Sequence, residues 1–221
     1  MEVGGQYFST TTLVVAGIFY VLILIQALRM APWRRLRDSE QLHVFLGACV
    51  VLILLWHMRV SVQPGLVFHL LGVTSVTLMF GWSLGIVASS LALAGVTFNS
   101  GLGWEGFLLN AFSTGVVPVT LSQVLLVLIR SLLPKHFFVY VLANAFLTAG
   151  VVALVSGYLV TALLVVAGVY SFFQLQQTVL PFFPLMFLPE AILNGWIMTI
   201  MISLRPQWVG SFSDELYIKG K

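Results

Sequence analysis

The chain has 221 residues, 60% of them hydrophobic and only 8% charged, with a formal net charge of +3. Soluble domains carry about 25% charged residues, so a water-soluble domain is excluded, and a charge of +3 borne by arginines beside apolar runs gives no footprint for nucleic acid. The apolar runs are long and continuous instead of alternating over about ten residues, which points to a helical membrane protein and away from a β-barrel. A single cysteine, Cys49, allows no internal disulfide.

In chain order, Met1-Glu2-Val3-Gly4-Gly5 has no basic stretch and no small-residue cleavage site, so the first apolar run is expected to be a retained helix. That first span is expected at residues 12–28, ended by Pro32. Arg29, Arg34, Arg35 and Arg37 place the loop that follows in the cytoplasm and the N-terminus outside. The second span, residues 42–58, returns to the outer face at Trp56-His57-Met58-Arg59. Pro64-Gly65-Leu66-Val67-Phe68-His69-Leu70-Leu71-Gly72 reads as a break and then the start of a third span, residues 66–80, with His69 about a turn inside. Gly81-Trp82-Ser83-Leu84-Gly85 is a tight inner turn or a kinked continuation, and the fourth span reaches about residue 98. Gly81, Gly85 and Ser89 make a stripe of small residues, suited to close packing within the protein or to docking a partner.

The fifth span, residues 107–129, carries Asn110 and Pro118, and a basic loop follows. The sixth is expected at 137–156 and the last at 180–204, with Glu190 and Asn194 inside it. Residues 158–173 are apolar enough to cross but short for it. Periodicity alone gives eight spans. The tail, with Arg205, Lys219 and Lys221, favours the inside and hence seven, with residues 158–173 re-entrant, surface-lying or part of a bent hairpin. The expected fold is therefore all-α: a polytopic transmembrane bundle of seven spans, N-terminus outside, in one domain of residues 1–221.

His57 and His69 flank one short outer loop, and an antiparallel pair of spans brings them to similar depth. With Met58 adjacent they are candidate ligands for a late first-row metal; the alternative is one interfacial and one satisfied bundle histidine. Glu190 is the acidic residue deep in an apolar span, and Asn194 lies one turn later on the same face. An intramembrane carboxylate must face the bundle or a cavity, so Glu190, Asn194 and Asn110 are either an interhelical clamp or a cavity wall. No G-x-x-x-x-G-K-[ST], H-E-x-x-H or G-x-S-x-G motif is present, so nothing in the motifs supports an enzyme.

The segment of residues 64–72 resembles the Pro-Gly…His-Leu-x-Gly segment of the cobalt/nickel uptake permeases, the substrate-specific membrane subunits of energy-coupling-factor ABC transporters. The likeness continues in order through a glycine-containing turn, a helix with Asn110 and Pro118, and Glu190-Ala191-Ile192-Leu193-Asn194-Gly195, which is similar to the family's Glu-Ala-x-x-x-Gly. The resemblance implies a seven-helix substrate-binding subunit of the inner (cytoplasmic) membrane, surrounded by lipid and working with a transmembrane coupling protein and ATPase subunits. It also implies that His69 matches the metal-ligating histidine. In that family an N-terminal Met followed by His supplies most of the ligands, whereas position 2 is Glu2 here. The Met1 amine and a Glu2 oxygen form a harder set, with His57 and Met58 as candidates to compensate. The expected function is capture of a transition-metal cation for uptake, with no cofactor beyond the transported ion. A non-transporting membrane scaffold and an uptake subunit for a small organic ligand or vitamin are the alternatives.

Overall fold

The computed structural model describes residues 2–100 and 104–218. Two long helices come first, α1 (Thr10–Met30) and α2 (Ser39–His57). Ser9 caps α1 by accepting from the Thr12 amide, and Asp38 caps α2 by accepting from Glu40 and Gln41. Their outer faces present Val14, Ile18, Phe19, Leu22, Leu46 and Leu54 to the surroundings. An apolar face of that extent is stable only against lipid. Helix α3 (Val73–Asn99) is central and mostly buried, and α4 (Phe107–Leu132), α5 (Phe137–Val166) and α7 (Phe183–Leu204) pack around it, with a short α6 (Phe172–Thr178) before α7. The last element is α8 (Asp214–Tyr217).

A small sheet lies at one end of the bundle. Strand β1 (Glu2–Val3) pairs antiparallel with β3 (Leu66–His69), which pairs antiparallel with β2 (Arg59–Gln63). The β2–β3 turn is Pro64-Gly65, where proline presets one turn residue and Gly65 takes φ of 80°, the left-handed value that the second central residue of a type II turn needs.

Among the described residues, six helices are long and apolar enough to cross a membrane, against the seven spans expected. The difference lies in residues 66–80. Their first part is strand β3, and their helical part is a limb of about two turns, residues 73–80. At Gly81 (φ 83°, ψ 175°) the chain leaves the helix and reverses. A Cβ on Gly85 would lie 3.7 Å from the Thr77 Cα, whereas residues eight apart in a continuous helix are separated by about 12 Å. The tight inner turn, not the kinked continuation, is what forms. The small-residue stripe faces inward there: Gly85 packs on Thr77 and Val119, and Ser89 fills the space beside Gly115.

Contacts distinguish the two ends of the bundle. At the sheet end His57 meets Asn99, Val3 meets Asn110, and the Tyr170 hydroxyl donates to Pro64 O. At the other end Arg35 donates to Met79 O and Trp208 O, Trp208 Nε1 donates to Glu40, and Arg130 binds Ser211 O and the Tyr217 hydroxyl. The described chain starts at the sheet end and passes to the arginine end through α1, back through α2, forward through β3 and the short limb, and back through the long limb of α3. It then passes through α4, α5 and α7 to finish beside Arg35.

One expectation about boundaries is corrected. Residues 158–173 are neither re-entrant nor surface-lying: α5 runs unbroken from Phe137 to Val166, so the sixth span does not stop near 156. The turn at 167–171 and the separate α6 account for the rest. Helix α4 is not uniform. It widens to a π-turn over Ala111–Val116, just before Pro118, whose ring clashes with the carbonyl one turn back and removes an amide donor.

Gly81 has open space around it, so its φ alone resists a side chain. Gly81→Ala is expected to destabilise the protein by about 1–2 kcal/mol. Gly47→Ala, at a helical position that is equally open, should be neutral or mildly stabilising. Thermal unfolding of the two variants in detergent, compared with wild type, checks both.

Candidate functional site

The three strands bring together residues far apart in sequence. Glu2 pairs with Val67, and Arg59 lies opposite His69. Side chains alternate along a strand, so Val67 and His69 share one face with Glu2, Arg59 and Ser61. His69 Nε2 is 3.7 Å from Glu2 Oε1, and Arg59 Nη1 is 3.6 Å from Glu2 Oε2. The His69 side chain is fully buried and Glu2 nearly so. Burial pushes the Glu2 carboxyl above its ordinary pKa, and the Arg59 guanidinium pulls it part of the way back.

The surroundings fix the His69 ring. Its Nδ1 lies 3.0 Å from Leu70 O. A carbonyl only accepts, so Nδ1 carries a proton, and Nε2 is the nitrogen on the Glu2 side. The ring packs on the Trp56 indole at 5.3 Å between centroids, and Trp56 Nε1 donates to Leu71 O. Strand β1 is held from behind: Asn110 Oδ1 accepts from the Val3 amide and Asn110 Nδ2 donates to Val3 O, both at 2.9 Å. Asn110 thus supplies the donor and acceptor that another strand would. A cavity of about 240 Å³ reaches Glu2 along this face, bounded by Ser61, Thr97, Phe107 and backbone around Gly4 and Gly5.

Glu190 and Asn194 do not line that cavity. The Glu190 carboxylate accepts from the Leu71 and Gly72 amides, each at 2.7 Å, and from Asn194 Nδ2 at 2.8 Å. Asn194 Oδ1 accepts from the Ser75 amide and hydroxyl. These are the amides at the start of the short limb, which lack partners within their own helix. Of the two roles expected for this pair the interhelical clamp is formed, and Glu190 also borders a second cavity, of about 560 Å³, together with His69 and Met58.

The expected partners of His69 are only partly assembled. Glu2 is beside it. His57 is not brought into the cluster as a ligand: its Nδ1 donates to Ile53 O at 2.8 Å and its Nε2 accepts from Asn99 Nδ2 at 3.0 Å, which uses both nitrogens. Met58 is 75% exposed, outside the buried cluster. Met1 lies outside the described residues. Among the described residues no three His, Cys, Asp or Glu side chains converge as a metal site. Sequence reasoning missed Arg59 and the strand that carries it. The signal was the alternation Arg59-Val60-Ser61-Val62-Gln63 ahead of Pro64-Gly65, a hairpin pattern that the longer apolar runs on either side obscured.

A 3.7 Å spacing between a carboxylate oxygen and an imidazole nitrogen is one that a single cation can bridge. With bonds of about 2.1 Å the two ligands subtend about 120° at the metal.

Residues 3–208 match the family described as the cobalt uptake substrate-specific transmembrane region. No curated protein sequence matches the chain. Two solved structures share its fold. One, described as a transition metal transporter, is 18% identical with a TM-score of 0.71, covering 92% of this chain and 93% of the other. The second, a truncated transition metal transporter, is 19% identical with a TM-score of 0.66, covering 92% and 99%.

Removing the Glu190 carboxylate leaves two buried amides unpaired, at about 1–3 kcal/mol each. Glu190→Leu is therefore expected to destabilise the protein by about 3 kcal/mol or more, and Glu190→Gln, which keeps one acceptor oxygen, by less. Equilibrium unfolding in detergent should give that order.

Proposed function

This chain belongs to the cobalt uptake substrate-specific transmembrane family, and we propose from that premise that it is the metal-capturing subunit of an uptake system. It takes a divalent transition-metal cation from the sheet end of the bundle. The single observation that carries this reading is the buried pairing of Glu2 with His69 at a bridging distance, His69 having a proton on the nitrogen turned away.

The cation is the substrate. It reaches Glu2 through the cavity beside β1, loses water there, and is held by Glu2 Oε1 and His69 Nε2. One oxygen and one imidazole suit a metal of intermediate hardness, such as cobalt or nickel, and give magnesium or calcium too few oxygens. Asn110 positions β1, and therefore Glu2. Glu190 and Asn194 hold the helix limb beneath His69 and touch no metal. The arginine end, carrying Arg29, Arg34, Arg35, Arg37 and Arg130, lies on the cytoplasmic side of an inner membrane by the positive-inside rule. No nucleotide-binding motif is present, so energy for release comes from separate ATPase subunits through a transmembrane coupling protein docked within the membrane.

Calorimetric titration of the purified full chain with nickel and cobalt salts tests the reading. His69→Ala is expected to lose more than about 100-fold in affinity, because a metal ligand is removed outright. His57→Ala and Met58→Ala should bind as wild type does. Wild type that binds neither metal, or binding that survives His69→Ala, would contradict the reading.

Acidity provides a second check. Only the ionised carboxylate is a ligand, and burial has raised the Glu2 pKa. Affinity should therefore fall as the pH drops toward a value above the ordinary carboxylate range of about 4.3. Glu2→Gln should bind more weakly, and its affinity should lose that part of its pH dependence.

A further inference from the structure

The geometry points to Arg59 as the resident cation of the empty site: we propose that its guanidinium neutralises Glu2 when no metal is bound and exchanges with the incoming ion. The inference rests on the metal-capture reading above and adds a residue that sets how tightly the ion is held.

Burial makes the charge of Glu2 costly. A carboxylate withdrawn from water is tolerated when a counter-charge accompanies it. Among the described residues the guanidinium nearest Glu2 is that of Arg59, on the Oε2 side, while the neutral His69 ring lies on the Oε1 side. His69 is the ligand. Arg59 stands opposite it across the β2–β3 register, so the guanidinium reaches the same carboxylate across β3, from the strand on its other side.

The quality of the contact indicates exchange and not permanent anchoring. Arginine and carboxylate usually form paired hydrogen bonds of about 2.7–2.9 Å. Here the approach is 3.6 Å. Arg59 Nη1 and Glu2 Oε1 are both buried and, among the described residues, neither has a hydrogen-bond partner. A fixed structural ion pair would satisfy those atoms. The Arg59 side chain is also the more accessible of the two, 24% exposed against 8% for Glu2, so it has a direction in which to withdraw. Glu2 is tied through β1 to Asn110 and has none.

A dication between Glu2 and His69 would lie within a few ångströms of a retained guanidinium, and the two would repel. The metal therefore displaces Arg59 or binds against it. In either case Arg59 weakens binding. When the metal leaves, the guanidinium returns to Glu2, and the empty subunit buries no bare charge. A site of this construction releases its ion more readily than one in which the ion's departure strands a carboxylate.

Nickel chloride titration of the full chain in detergent, with wild type, Arg59→Gln and Arg59→Lys, tests the exchange. Arg59→Gln should bind at least about tenfold tighter and release nickel more slowly, while Arg59→Lys should stay near wild type. Equal or weaker binding by Arg59→Gln, as an anchoring role for Glu2 would give, overturns the proposal. Wild type that binds no nickel defeats the site reading itself, which keeps the two failures distinct. Should Arg59→Gln not fold, wild type serves: dicarbonyl labelling of Arg59, read by mass spectrometry, should rise severalfold on saturation with nickel. Labelling that does not change with metal would overturn the exchange.

Discussion

A helix of about two turns, buried inside a membrane protein, must have both of its ends satisfied by other parts of the chain. Water is absent there, and unpaired backbone groups cost several kcal/mol each. The limb of residues 73–80 meets this constraint at both ends. Glu190 and Asn194 accept from the amides of Leu71, Gly72 and Ser75. At the far end Gly210 N and Arg35 donate to Met79 O, and Ser211 N donates to Leu78 O. The acceptors and the two backbone donors belong to α7 and the segment that follows it, so one stretch of chain holds the limb from above and below.

The candidate cluster depends on that fixture. His69 is three residues from Gly72, whose amide is bound to Glu190, so the strand carrying the imidazole ends at a pinned point. Trp56 ties Leu71 O to the His69 ring from the side. Asn110 performs the same service for β1. The candidate ligands thus sit on short strands whose backbones are clamped by helices, which gives the rigidity a metal site needs without placing ligands on the helices themselves. The substitution of a carboxylate at position 2 has a structural consequence as well as a chemical one. It introduces a buried negative charge, and Arg59 stands beside it.

Much of this was legible in the sequence. Long apolar runs located α1, α2, α4 and α7 closely, and Gly81 was marked as a turn or a kinked continuation. A lone carboxylate at Glu190 with Asn194 one turn later announced a buried polar pair, either a clamp or a cavity wall. His69 stood out because it follows a Pro-Gly break. What was not legible has physical causes. Strand β1 is two residues long and has no periodicity of its own; it exists because Asn110 and β3 supply its partners. The span at 66–80 was expected as helix because its residues are apolar, and apolarity does not distinguish a buried strand from a buried helix. His57 and His69 do sit on neighbouring elements, but ring orientation decides ligation, and Ile53 and Asn99 claim the His57 ring. Arg59 read only as the end of the second span, because its partner Glu2 is far from it in sequence.

The central claim is that the metal is bound where Glu2 and His69 face each other. X-ray absorption spectroscopy of the nickel-loaded protein measures that directly. A first shell of nitrogen and oxygen, with the multiple scattering of a single imidazole that disappears in His69→Ala, is the predicted spectrum. A sulfur scatterer from Met58, or two imidazoles including His57, would place the ion elsewhere and contradict it.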